Sequence, residues 1–466
     1  MTFSHAEAAE IGSRLRSRMR WAGIAMLSLS QLVLSVDTSV VNVALPRIQS
    51  ALGFSSAGLS WVVTAYALAF GGLVLLSGRI GAIIGPRRAL LLGTAIFVIG
   101  SALGGLASSP GILVTARAIQ GVGAALAAPS TLVLIMGITE PGTQRARAMS
   151  FFVAALGSGA AIGLVLGGVL TTTLGWRWVM FVNVPLGLFV LAGVRWTVPR
   201  LPRATARLDL MGAVSSTVAM AALVYGLTLA ASDGWSSTRT LSSFTVAIVA
   251  LGILIAAERR HPSPVLPLGF FSRMRSAAPF LAMLLIPAGQ FGFLYFAALF
   301  TQDALGYSPL LTGLVVLPFT AALVLVNVVV PRLVARFGER VTGGAGMAAL
   351  TLGLLWMSLL DASSTFLSGL LGPFLVLGVG AGLTVAPLTS VLLAQGPEER
   401  LSAASSLNQG LQQLGGAVGL ASLTTVFTAA GGGVDGITTA LLAGTAFPAL
   451  AFLLFTTGAR RIGDTR

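Results

Sequence analysis

The sequence predicts an all-α polytopic membrane protein, and three observations carry that prediction. Of 466 residues, 55% are hydrophobic and only 9% charged, with a mean hydropathy of +0.92, more apolar material than a soluble domain can bury. Apolar runs of about 18 residues or more recur between clusters of Arg, Pro, Gly and Ser, and a hydrocarbon core ~30 Å thick takes about 20 helical residues to cross. No strand-like alternation competes with them.

Fourteen spans are predicted. The first, 21–44, follows a polar, arginine-rich stretch of twenty residues. It is longer than a signal-peptide core and lacks a small-x-small cleavage site, so it reads as an uncleaved span. Ser28, Gln31, Ser35, Thr38 and Asn42 recur along one of its faces, with Asp37 about 100° away from Thr38. Span two, 58–77, runs into a short basic loop from Gly78 to Arg88 (GRIGAIIGPRR), and span three covers 88–107. Span four, 111–136, holds Arg117 and the small pair Gly121 and Ala125. Span five, 148–172, repeats Gly159, Gly163 and Gly167, with Gly157 and Gly168 beside them. Span six, 176–197, is bracketed by Trp176, Trp178 and Trp196, as interfacial anchors are. Spans seven and eight, 209–232 and 240–257, stand between two six-span units as an inserted pair. The proline-rich segment His261 to Pro267 (HPSPVLP) links to spans nine, 276–301, and ten, 310–331. Span ten is followed by a second basic loop, Pro331 to Arg340 (PRLVARFGER), in the position equivalent to the first, the weak internal symmetry of transporters. Spans eleven to fourteen are 341–360, 365–394, 406–429 and 437–458. The units are thus residues 1–206, an inserted pair at 207–262, and a linker with the second bundle at 263–466.

All 28 basic residues are arginine, against 14 acidic residues, a net charge of +14. Placing the N-terminus inside assigns 24 of the 28 to cytoplasmic segments, leaving Arg47, Arg177 and Arg239 outside and Arg117 within a span. Both termini are therefore predicted to be cytoplasmic. The arginines are dispersed between apolar runs rather than gathered on one basic face, which argues against a nucleic-acid partner. The absence of cysteine removes disulfides and thiolate chemistry, and His5 and His261 alone make no metal constellation. The absence of lysine removes the P-loop and Schiff-base chemistry. No cofactor, metal or enzyme activity is expected, and any work must be driven by a gradient.

Asp37 is the lone acid deep in the spans, where an ionisable group is costly and is usually kept for moving protons or ions. Arg117 is the lone deep arginine, and both lie roughly 10 Å below the outer ends of their helices at 1.5 Å per residue. A shared depth does not establish contact, because it leaves helix rotation and neighbours open. Burial favours the neutral carboxyl, whereas a cation within ~4–6 Å favours the charged one, so a change in their distance or hydration can load or release a proton. The polar stripe either lines water or hydrogen-bonds a packed helix, and the glycine stripe is a packing face on which helices can slide or rock.

Several fragments together resemble the major facilitator superfamily, specifically its fourteen-span drug:proton antiporters. They are Asp37 to Pro46 (DTSVVNVALP), the basic loop after span two, Arg117 to Ala125 (RAIQGVGAA) and the glycine-rich fifth span. Trp176 to Gly187 (WRWVMFVNVPLG), Leu208 to Gly212 (LDLMG) and Tyr295 to Gly313 complete the set. The resemblance implies two six-helix bundles rocking about a central cavity, with lipophilic compounds exported across a bacterial cytoplasmic membrane in exchange for protons. Arg117 then belongs to the proton relay, Asp37 to the acidic first-span motif, both being the candidates for proton coupling, and Gly159, Gly163, Gly167 and Gly168 to the antiporter motif. Gly78, Arg79, Gly85, Arg87 and Arg88 form the gating loop. Two departures bear on gating: Ala82 stands where the family loop carries an acid, and Leu164 where the antiporter motif carries proline.

Gln31, Tyr66, Asn183, Gln290, Tyr295, Asn408, Gln409 and Gln413 are candidates to line a substrate cavity, an interhelical hydrogen bond or interfacial ring being the alternative for each. The expected partners are a lipophilic small molecule, neutral, weakly cationic or anionic, together with protons and the lipid bilayer, and the chain is expected to work as a monomer. Uptake or exchange of a metabolite, and a sensor that has lost transport, are the competing functions.

Overall fold

The computed structural model describes residues 5–54, 56–59, 61–201, 210–258, 274–361, 363–393 and 401–457, and among these every regular element is helical. The linker His261 to Pro267, the unit boundaries near 206 and 262, and Leu208 and Asp209 lie outside the described residues.

On the predicted division, the first unit comprises α1 (His5–Leu52), α2 (Ser56–Leu59), α3 (Trp61–Ile84), α4 (Pro86–Gly105), α5 (Pro110–Ile138), α6 (Thr143–Thr173), α7 (Arg177–Phe181) and α8 (Asn183–Thr197). The inserted pair is α9 (Leu210–Asp233) and α10 (Thr238–Glu258), which pack on each other. The second unit is α11 (Met274–Leu299), α12 (Pro309–Val315), α13 (Leu317–Met357), α14 (Leu371–Leu393), α15 (Leu401–Ala429), α16 (Gly433–Gly444) and α17 (Ala446–Thr457), with π-helical turns at Phe300–Ala304 and Phe366–Leu370.

Helix α1 runs past its predicted end at residue 44, through Pro46 to Leu52. Proline forfeits one backbone hydrogen bond, and the buried face of Val40, Val41, Ala44 and Ile48 continues across it against Trp176, Val179 and Met180. Two glycines break the chain where the two basic loops were read. Gly85, between α3 and α4, has φ +96°, and Gly338, inside α13, has φ +81°. Side chains other than glycine rarely adopt that backbone, so the two units turn at equivalent places by the same device.

The predicted fourteen spans are only partly recovered. Among the described residues, twelve helical stretches are long and apolar enough to cross a bilayer. One of them, Leu311–Met357, is 47 residues long and is divided by Gly338, which makes thirteen. The remaining predicted span corresponds to α15, which is long enough at 29 residues but does not pass on composition. Its first half carries Ser402, Ser405, Ser406, Asn408, Gln409, Gln412 and Gln413, a polar load that fits a helix turned toward a protein interior better than toward lipid. Outward-facing positions elsewhere are apolar, with Ile248, Val249, Leu325, Val328, Leu352 and Leu359 all exposed, the surface a bilayer solvates.

The two units meet along a seam. Helix α6 packs on α1 on one side and on α12, α13 and α14 on the other. Helices α3 and α5 meet α15, while α9 lies against both α3 and α15 and so bridges the units.

Candidate functional site: a buried ion pair and its amide collar

Asp37 and Arg117 are in contact. Arg117 Nη1 donates to Asp37 Oδ2 at 2.6 Å, and the two side chains are 0% and 1% exposed. The guanidinium also donates from Nε to the Val62 carbonyl at 3.0 Å and from Nη1 to Gln120 Oε1 at 2.9 Å. Its carbon lies 4.5 Å from the centre of the Tyr66 ring, a cation–π contact. The second carboxylate oxygen, Asp37 Oδ1, accepts from Asn183 Nδ2 at 2.7 Å and from Gln120 Nε2 at 3.1 Å. Gln120 Nε2 donates as well to Ser101 Oγ at 2.8 Å, and Ser101 donates in turn to the Phe97 carbonyl. A charge pair withdrawn from water holds only when its remaining donors and lone pairs are met, and five helices, α1, α3, α4, α5 and α8, supply the partners.

Local sequence explains how the helices come that close. One turn along α5 from Arg117, Gly121 sits so near α3 that a Cβ there would lie 2.8 Å from Ala69 Cβ and 3.1 Å from the Phe70 nitrogen. On α4, a Cβ at Gly100 would lie 2.9 Å from Gln120 Cγ. Small residues at both contacts let backbones approach and bring the polar groups within reach.

The polar stripe on α1 divides. Ser35 donates to the Leu156 carbonyl at 2.9 Å and Ser39 to the Gly159 carbonyl at 3.2 Å, both across the α1–α6 contact. Gln31 is buried, and its Oε1 has no partner among the described residues, while Thr38 and Asn42 are exposed. The glycine stripe of α6 forms the other side of this contact. A Cβ at Gly163 would stand 2.8 Å from the Val36 carbonyl oxygen, and one at Gly167 2.9 Å from that of Val40, while one at Gly159 would run into Ser35. Gly168 is buried, and its carbonyl accepts from Thr172. Leu164 faces the second unit, where Gly313 of α12 leaves room for it.

Of the residues predicted to form the gating loop, Gly78 lies at the seam. Ser402 of α15 donates to the Gly78 carbonyl at 2.6 Å, and a Cβ on Gly78 would collide with Ser406. Arg79 and Ala82 are half-buried. Arg87 donates to the Arg195 carbonyl at the end of α8, Arg88 is exposed, and Gly85 makes the turn already described.

The cavity candidates separate into groups. Tyr66 and Asn183 are buried in the charge cluster. Asn408 and Gln409 are buried on α15, and Asn408 Oδ1 and Gln409 Nε2 have no partner among the described residues, like the neighbouring Ser405 and Ser406 hydroxyls. Gln413 is half-buried. Gln290 lines a small apolar cavity inside the second unit with Ile286, Phe293, Phe319 and Pro448. Tyr295 is 44% exposed and meets Phe296 edge-on with ring centres 5.1 Å apart. Sequence reading missed Gln120 and Ser101. Gln120 stands three residues after Arg117 and so shares its helix face, a signal that was available. Ser101 had none.

Two helical units facing across a seam, with an ion pair sealed in one of them, form the body of a multi-pass membrane transporter. Comparison with known proteins agrees: the chain matches the Major Facilitator Superfamily over residues 27–420. It belongs to that family. It is 38% identical over 417 residues to the puromycin resistance protein pur8 of Streptomyces alboniger, covering 88% of this chain and 82% of that one. It is also 38% identical over 425 residues to the cephamycin export protein CmcT of Amycolatopsis lactamdurans, covering 90% and 87%. The crystal structure of the human organic anion transporter MFSD10 superposes with a TM-score of 0.67 at 16% identity, covering 94% of this chain and 99% of that one, which supports the shared fold.

Proposed function

We propose that the protein exports lipophilic small molecules from a bacterial cytoplasm in exchange for protons, by alternating access between its two helical units. The observation that carries the reading is the Asp37–Arg117 pair, the charged groups deepest in the helices, held against each other out of water. The names of its relatives, a puromycin resistance protein and a cephamycin export protein, support export as the direction and drug-like compounds as cargo. On this reading there are fourteen spans, α15 being the thirteenth, with both termini in the cytoplasm and the seam shut on the cytoplasmic side by Gly78, Ser402 and Ser406. Asp37 carries the proton while Arg117 holds the charged form. One charge crossing the membrane is worth about 2.3 kcal/mol per 100 mV, enough for more than tenfold accumulation.

Cargo recognition falls to Gln31, Asn408, Gln409 and Gln413, amides that can bond polar atoms of a largely apolar ligand. Because the deep carboxylate is taken by Arg117, the site suits neutral, weakly cationic or anionic compounds better than dications. Leu164, in place of the family proline, fills the space that Gly313 leaves and so serves the contact between the units.

Asp37→Asn tests the reading in everted vesicles energised by a pH gradient. Expression is expected to persist and pH-driven transport to be lost, with the residual signal insensitive to an uncoupler. Undiminished gradient-driven transport by the variant would defeat the proton-carrier role, and raised rather than lowered drug content in cells expressing the wild type would reverse the direction.

A further inference from the structure

The collar around Asp37 is built for a carboxylate, with three N–H donors aimed at its two oxygens. Oδ2 faces a guanidinium hydrogen, and Oδ1 faces two amide N–H groups. A hydrogen placed on Oδ1 points at an amide hydrogen unless a partner turns away, whereas Oδ2, bonded once, keeps a second acceptor site. Arg117 has no acceptor to offer. Gln120 is held at both ends, its Oε1 by Arg117 and its Nε2 by Asp37 and Ser101. Asn183 differs: its Nδ2 is engaged, but its Oδ1 is buried with no partner among the described residues, in a side chain that is 0% exposed. An orphaned buried carbonyl is rare and calls for an explanation.

We propose that Asn183 is the positioning residue that registers the protonation state of Asp37, donating through Nδ2 to the carboxylate and turning its amide over to accept the acid O–H through Oδ1. The proposal rests on Asp37 being the proton carrier and adds how the sealed cluster accommodates both states. The proton comes from water on whichever side the bundle has opened toward, bonds to Asp37 Oδ1 and neutralises the carboxyl, and the same proton returns to water when the Nδ2–H···Oδ1 bond reforms. The charged and titratable groups that face the cluster are Asp37 from α1, Tyr66 from α3 and Arg117 from α5. The arginines of α4 and α8, Arg87, Arg88 and Arg195, lie at far helix ends, as do Arg145 and Arg147 of α6, while Arg177 of α7 is bonded to the Ala107 carbonyl. Turning the amide reverses the direction of the Asp37–α8 hydrogen bond without breaking it, so the α1–α8 contact is kept in both protonation states.

The test is difference infrared spectroscopy of the full chain in lipid across a pH step, with the carboxylic C=O stretch assigned to Asp37 by its loss in Asp37→Asn. Asn183→Leu, close in volume but without donor or acceptor, is expected to move that band to higher wavenumber, because the acid O–H loses its acceptor. Asn183→Ser, whose hydroxyl both donates and accepts, is expected to bring the band and the pH profile of export back toward wild type. If the leucine variant does not accumulate, Asn183→Ala supplies the same comparison. A band that stays in place in the variants overturns the amide switch and leaves Asp37 as proton carrier. No Asp37 band at any pH removes the carrier reading itself, and the switch with it.

Discussion

Arg117 has more depending on it than any other side chain in the cluster. It touches the carboxylate, the Val62 carbonyl, Gln120 and the Tyr66 face, so removing it strands a buried anion. Arg117→Ala is expected to cost about 3–5 kcal/mol, the usual penalty for breaking a buried pair from one side. Adding Asp37→Asn to that variant should recover much of the loss, because an uncharged amide needs no cation. Unfolding of the purified protein in mixed micelles measures both, and a double variant as unstable as Arg117→Ala alone would contradict this account. Asp37 and Arg117 were legible in the sequence because a charge inside an apolar run stands out on its own. Tyr66 and Asn183 were legible only as polar groups near spans, since nothing in a linear sequence says which helices will be neighbours.

Helix α6 packs on both α1 and the second unit. One face meets α1 through glycines, and the other meets the second unit through Leu164 and Gly313. Gly163→Val is expected to push α1 and α6 apart against the Val36 carbonyl, at a cost of roughly 1–3 kcal/mol for an overpacked contact. Export should fall with it, and thermal unfolding read beside vesicle transport checks both. If the valine variant keeps full stability and transport, the tight contact is incidental. The period-four glycine repeat revealed a packing face from sequence. Its partner was hidden, because small residues accept any helix that offers a matching groove.

Across the whole molecule, the units touch at the seam and through the inserted pair. Helix α9 packs on α3 through Gly71 and Gly72, which a Cβ would bring 3.2 Å from Val224 and 3.1 Å from Ala221. On the other side Trp235, just beyond α9, donates from Nε1 to Thr425 Oγ1 of α15 at 2.6 Å. Helix α9 and Trp235 therefore contact both units at one flank. The chain has no cysteine, so single cysteines report on it without background. Gly78→Val should open the seam and raise labelling of a Gln409→Cys probe about tenfold, the equivalent of ~1.4 kcal/mol; labelling unchanged by the valine would mean that this contact does not close the seam. Topology has its own check: Ser237→Cys and Ser363→Cys are expected to react with an impermeant maleimide from outside the cell, and Arg147→Cys only after permeabilisation. The reverse pattern would overturn the assigned orientation.

Composition and one-dimensional period were enough to establish a helical membrane protein with one acid and one arginine stranded in apolar helices, and to predict two repeated units with an inserted pair between them. Each of these belongs to a single segment, where hydropathy and the 3.6-residue turn act without reference to the rest of the chain. Folding in three dimensions added the Asp37–Arg117 contact, the amide collar with a carbonyl that has no partner among the described residues, the bridging position of α9 and the continuous run of α1 through Pro46. Those depend on the rotation and neighbours of each helix, which close packing between small residues settles only once distant segments meet.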